Sequence, residues 1–108
     1  MSSTIPLDDA VVLPQPLTIR NAEAIRELLL SQLQVRQTVV VEFGTDDADL
    51  SVIQVLESAR LFARERDVSL TLSSPVGEQT LATLRRAGFL TGKDPASTQF
   101  WLHRKEVQ

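Results

Sequence analysis

The apolar residues of this chain fall into blocks whose period changes along its length. Thr38 to Phe43 (TVVVEF) is a continuous, largely β-branched run without alternation, which predicts a strand at the centre of a sheet with both faces covered. Ahead of it, Ile25, Leu28, Leu29, Gln32 and Leu33 recur at helical spacing and leave Arg20, Glu23 and Arg26 outward. That is an amphipathic helix of about three turns, opening at Asn21, whose side-chain oxygen can take one of the orphan N–H groups. Beyond the strand, Val52, Val55, Leu56, Ala59, Phe62 and Ala63 share one face of a helix running from Ser51 to Asp67, at ~100° per residue. Ile53 sits at the edge of that stripe and reads as part of a wide core. Leu61 falls on the opposite side, among Gln54, Glu57, Ser58 and Glu65.

The flanks carry shorter signals. Thr4 to Leu7 and Ala10 to Leu13 are apolar runs separated by Asp8-Asp9 and closed by Pro14-Gln15-Pro16, the pattern of a tight hairpin ended by residues that cannot donate to a ladder. Ser69 to Leu72 (SLTL) alternates as a strand. Ser74-Pro75 then reads as N-cap and first residue of a helix carried by Val76, Thr80, Leu81 and Leu84. Gly88 suits the left-handed position that ends it. Phe89-Leu90 returns to the core, Gly92 to Ala96 loops, and Thr98 to His103 (TQFWLH) predicts a last, aromatic strand.

The resulting order is ββαβαβαβ. It predicts an α/β fold in one small domain over residues 1–108, with a mixed, mostly parallel four- to five-stranded sheet, three or so helices and right-handed crossovers.

Composition narrows the chemistry. With 108 residues, 43% hydrophobic and 23% charged, the chain suits a single core. No apolar run approaches the ~20 residues needed to cross a bilayer, and the first nine residues lack the basic start and apolar block of a secretion signal. A cytoplasmic protein without membrane insertion is expected. There is no cysteine and one histidine, His103, so thiol chemistry and histidine-based metal clusters are excluded. A net charge of −3 argues against nucleic acid as a partner, and Arg64–Arg66 and Arg85–Arg86 read as solvated helix faces.

Catalytic signatures are missing too. No P-loop, dinucleotide fingerprint, Gly-x-Ser-x-Gly or Ser-x-x-Lys is present, and the four glycines stand at 44, 77, 88 and 92. The expectation is a non-enzyme without a cofactor. Glu42, Asp46, Asp47 and Asp49 could hold Mg²⁺, but solvated turn carboxylates are the simpler reading, because Mg²⁺ usually completes its shell with substrate phosphates. Glu42, inside an apolar strand, would need a partner if buried.

The turn from Gly44 to Asp49, where the strand hands over to a helix, is the place for a regulatory site, because unpaired N–H groups and the helix dipole favour an anion there.

In order and spacing, Leu13-Pro14-Gln15-Pro16-Leu17-Thr18, the helix after Asn21, the strand Thr38 to Phe43, Asp49-Leu50-Ser51-Val52-Ile53-Gln54-Val55-Leu56 and Leu84-Arg85-Arg86-Ala87-Gly88-Phe89-Leu90 together resemble the STAS domain family, named for sulfate transporters and anti-sigma factor antagonists. The resemblance covers nearly the whole chain. It implies a protein that binds a partner, often a serine kinase acting as anti-sigma factor, and is released by phosphorylation of a serine or threonine directly after an aspartate at the start of the second helix. Here Asp49 matches the aspartate, Leu50 occupies the acceptor place, and Ser51 stands one residue later.

Two readings follow. Either Ser51 takes the phosphate, with the helix start shifted by one residue, or the domain binds constitutively. As an N-cap, Ser51 needs no further reason to exist, and Asp46, Asp47 and Asp49 would repel an added phosphate. The expected partner surface is Asp46, Asp47, Asp49, Leu50, Ser51, Gln54 and Leu61, facing an anti-sigma kinase, a chemotaxis-linked protein or another signalling protein. The alternative is a constitutive subunit of an ABC-type lipid or solute transporter; a nucleotide-binding module lacks a phosphate loop. The oligomeric state is open.

Overall fold

The computed structural model describes residues 10–90 and 95–103. Its elements are β1 (Val11–Val12), α1 (Ile19–Val35), β2 (Thr38–Glu42), α2 (Leu50–Glu65), β3 (Ser69–Leu72), α3 (Glu78–Arg86) and α4 (Pro95–Leu102). The strands form one sheet in the order β1-β2-β3, parallel throughout. Val11 lies opposite Val41, and Val39 and Val41 opposite Leu70 and Leu72. The expected α/β fold with a parallel core and β2 at its centre is therefore present. The sheet has three strands among the described residues, where four to five were expected, and the helices number four. Thr4 to Leu7 and the Asp8-Asp9 turn lie outside the described residues.

Among the described residues the sheet is covered on one face only. Val11, Val39, Val41, Leu70 and Leu72 are buried, and α1 and α2 pack side by side against that face. Their alternates Val12, Thr38, Val40, Glu42, Ser69 and Thr71 are exposed or half-buried. The unbroken valine run of β2 hides an ordinary one-sided alternation, because valine is tolerated on a half-open face for its β-propensity. Glu42 lies on this open face, half-buried, and so keeps access to water.

α1 begins two residues before Asn21, with Ile25, Leu29 and Leu33 buried; Asn21 instead donates from Nδ2 to Pro16 O at 2.7 Å. In α2 the buried set is Val52, Ile53, Leu56, Ala59, Arg60 and Ala63, which places Ile53 in the core. α3 starts at Glu78, not Pro75, and its cap position is Gly77. Its end is as expected: Gly88 has φ +81° and Phe89 N–H reaches back to Leu84 O at 3.0 Å.

The largest correction is at the C-terminal side. Thr98 to His103 is not a strand but lies in and just after α4. Pro95 suits the first helical position, and the helix buries Ser97, Thr98, Phe100, Trp101 and Leu102, a helical spacing that overrides aromatic β-propensity. Trp101 stands edge-on to Phe43 and Phe100 at 6.4 and 5.0 Å between centroids. Its indole Nε1 donates to Glu57 Oε2 at 2.6 Å, Ser97 Oγ donates to the same oxygen at 3.2 Å, and Arg60 donates to Glu57 Oε1 at 2.8 Å. Glu57 thus ties α4 to α2.

Candidate functional site

The C-terminal end of β2 opens onto a turn whose shape is set locally. Gly44 has φ +81°, and a Cβ there would also press on the Gln15 amide. Gln15 Nε2 donates to Phe43 O at 2.6 Å and to Leu13 O at 3.2 Å, so the Leu13–Thr18 segment is strapped to the end of β2. The Gln15–Pro16 peptide bond is cis.

Asp49 is the centre of this region. It is the N-cap of α2: Oδ1 accepts from Ser51 N at 3.1 Å and Val52 N at 3.3 Å. Its other oxygen, Oδ2, accepts from Ile19 N, the first residue of α1, at 3.1 Å, and its own N–H donates to Leu17 O at 3.0 Å. One carboxylate therefore closes two helix starts. Thr18, the nominal cap of α1, makes no side-chain cap bond. Burial is the largest influence on Asp49 and acts against its charged form. Hydrogen bonds from the Ser51 hydroxyl and from the Val52, Ile19 and Ser51 N–H groups together outweigh it and hold the pKa below the ordinary 3.8.

Ser51 is thus not the N-cap; it is the second residue of α2, and its hydroxyl donates to Asp49 Oδ1 at 2.5 Å. The Ser51 and Val52 N–H groups, which would greet a phosphate at this helix start, are already held by Asp49. Ser51 is half-buried and lines a groove of 370 Å³ between α1 and α2, together with Arg26, Leu30, Gln54, Val55 and Phe62. Leu50, at the first position of α2, is 42% exposed.

The carboxylates of the turn separate by role. Asp46 Oδ2 accepts from Gln79 N at 3.0 Å, capping α3, while its carbonyl accepts from Thr80 Oγ1 at 2.7 Å. The approach is close enough that any Cβ on Gly77 would overlap the Asp46 carboxylate. Asp47 is exposed. Among the described residues no three His, Asp or Glu side chains gather to hold a metal ion.

Of the expected partner surface, Leu50, Gln54 and Leu61 fall on one face of α2. They stand at i, i+4 and i+11 on α2, one stripe of the helix roughly 16 Å long, and all three are exposed, Leu61 by 46%. Ile19, 73% exposed, flanks the same double cap through the next helix. Asp46 and Asp49 are committed to helix starts instead. Sequence reasoning missed Ile19, Gln15 and the double role of Asp49. The only available signal was an Asx residue just ahead of an apolar helix, and Ser51 offered a competing cap two residues on.

The family model described as STAS domain matches residues 6–96. Comparison with curated proteins and with solved structures gives no match.

Proposed function

Because the chain belongs to the STAS domain family, we propose that it is a regulatory domain that works by binding a signalling protein through the start of α2 and the outer face of that helix. The observation that carries this reading is the exposed Leu50–Gln54–Leu61 stripe beginning beside the capped Asp49. Apolar side chains aligned on one face of a polar helix gain by being covered, about 25 cal/mol per Å² of apolar area removed from water. By analogy with the family, the partner is a serine kinase acting as anti-sigma factor or a chemotaxis-linked protein.

Ser51 is the phosphoacceptor candidate. A phosphate there would sit against the Asp49 carboxylate and break the hydrogen bond between them, so a switch at this position would act by loosening the starts of α1 and α2 together. The alternative reading, a constitutive subunit of an ABC-type lipid or solute transporter, is favoured by one observation: the acceptor place holds an exposed leucine, which takes no phosphate.

Affinity capture from a lysate of the source cells with wild type and with Leu50→Ala/Leu61→Ala, read by mass spectrometry, tests the surface. A partner lost from the double variant supports it; one retained at full level by the folded variant overturns it. A captured kinase favours the signalling reading and a captured ATPase subunit the transporter reading. Mass mapping after incubation with serine kinases reads the switch: modification at Ser51, absent in Ser51→Ala, supports it, and an unmodified 44–58 segment leaves a constitutive binder.

A further inference from the structure

In a parallel ladder each residue turns its N–H and C=O to the same side. Ser69 N–H donates to Gln37 O at 2.9 Å and Ser73 N–H to Val41 O at 2.8 Å, so residues 69, 71 and 73 face β2. Leu70 and Leu72 consequently present their N–H and C=O groups to the outer edge. Among the described residues no strand lies on that edge and none of these four groups has a hydrogen-bond partner. The aromatic segment that reads as a further strand in the sequence has gone into α4. Nor does β3 (SLTL) carry the lysine or proline with which exposed edges are usually blunted.

A groove of 580 Å³ runs along this edge between α2 and α4, with Leu70, Leu72 and Phe100 contributing apolar surface and Arg60, Arg64 and His103 polar surface. Among the described residues no carboxylate lines it, in a chain of net charge −3. Arg60 is engaged by Glu57. Arg64 is exposed and makes no ion pair among the described residues.

We propose that the β3 edge and this groove form an acceptor for an extended, acidic peptide segment of a partner protein, which adds as a strand. Its backbone would meet Leu70 and Leu72, alternate apolar side chains would enter the groove, and an acidic side chain would meet Arg64. A second copy of this chain fits less well, since edge-to-edge pairing about a two-fold axis would bring the two Arg64-bearing rims together. Its Arg64 rim adjoins the far end of the Leu50–Leu61 stripe, three residues on from Leu61 along α2, but the Leu70 and Leu72 edge is no part of that stripe, and the proposal stands whether or not the stripe binds.

The test is a nuclear magnetic resonance titration of the full chain with a capped hexapeptide of alternating valine and glutamate. The expected result is a shift and slowed hydrogen exchange of the Leu70 and Leu72 amides, with binding weakened about tenfold by Arg64→Glu and by exchanging the peptide's glutamates for lysines. Methylating alternate peptide nitrogens should abolish it. The proposal is overturned if these amides stay unmoved at roughly millimolar peptide, if the lysine peptide binds equally well, or if the free protein is a dimer with both amides already protected.

Discussion

Asp49 and Ile19 are thirty positions apart, yet the carboxylate of one accepts the first N–H of the helix begun by the other, at 3.1 Å. The same carboxylate caps α2 through Ser51 and Val52, so the two helices that cover the sheet share one anion at their positive ends. Side-chain caps stabilise by about 1 kcal/mol each. Asp49→Ala is therefore expected to cost about 2 kcal/mol in urea unfolding, more than removal of a cap that serves one helix.

That stability should depend on pH. The folded-state pKa of Asp49 is held below 3.8, so its contribution is fully present above the unfolded value and is lost as pH falls through the folded one. The stability difference between wild type and Asp49→Asn should be constant from neutral pH down to about pH 5 and shrink below about pH 4. A difference that grew on acidification would show that the carboxylate is not held in its charged form.

Ser51→Asp offers a second carboxylate within reach of the first. Like-charge repulsion and loss of the short Ser51–Asp49 hydrogen bond should destabilise the fold by about 1–2 kcal/mol, against at most ~1 kcal/mol returned by the helix dipole. Ser51→Ala removes the bond without the repulsion and should cost about 1 kcal/mol. Thermal unfolding of the two variants side by side checks the order.

Gly77 is required by proximity rather than by backbone conformation, since its φ is an ordinary −83°. Gly77→Ala should push the Asp46 carboxylate off Gln79 N–H and cost about 1 kcal/mol. In an Asp46→Ala background the same substitution should be neutral or slightly stabilising. A double-mutant cycle measures the coupling, and additive effects would refute the contact.

The lone tryptophan reports on α4. Glu57→Ala removes the acceptor of Trp101 and Ser97 and an ion-pair partner of buried Arg60, with an expected cost of about 2 kcal/mol from the buried donors it leaves unmet. Indole emission should move to the red as α4 loosens, while Glu57→Gln, which keeps an acceptor for the indole, should retain more of the native emission.

The parts of this architecture written in local periodicity were legible in the sequence: β2, β3 and α2 stand within a residue or two of where apolar spacing puts them, and Gly88 ends α3 as its type suggests. What sequence reading missed depends on partners far along the chain. Ser74-Pro75 looks like a helix start, but α3 begins at the point where Asp46, 33 positions away from Gln79, can reach its N–H. Thr98 to His103 has the composition of a strand, and becomes helical because Glu57 and Phe43 offer Trp101 a polar end and an aromatic wall. At the candidate site, Leu50, Gln54 and Leu61 could be aligned from helical spacing alone, whereas the commitment of Asp46 and Asp49 to three different helices could not.

Because the joint between α1 and α2 is borne by Asp49 and not by its neighbour, position 50 is released from architectural duty. A lineage could trade one residue type for another there, gaining or discarding chemical control, while the scaffold underneath went on assembling unchanged.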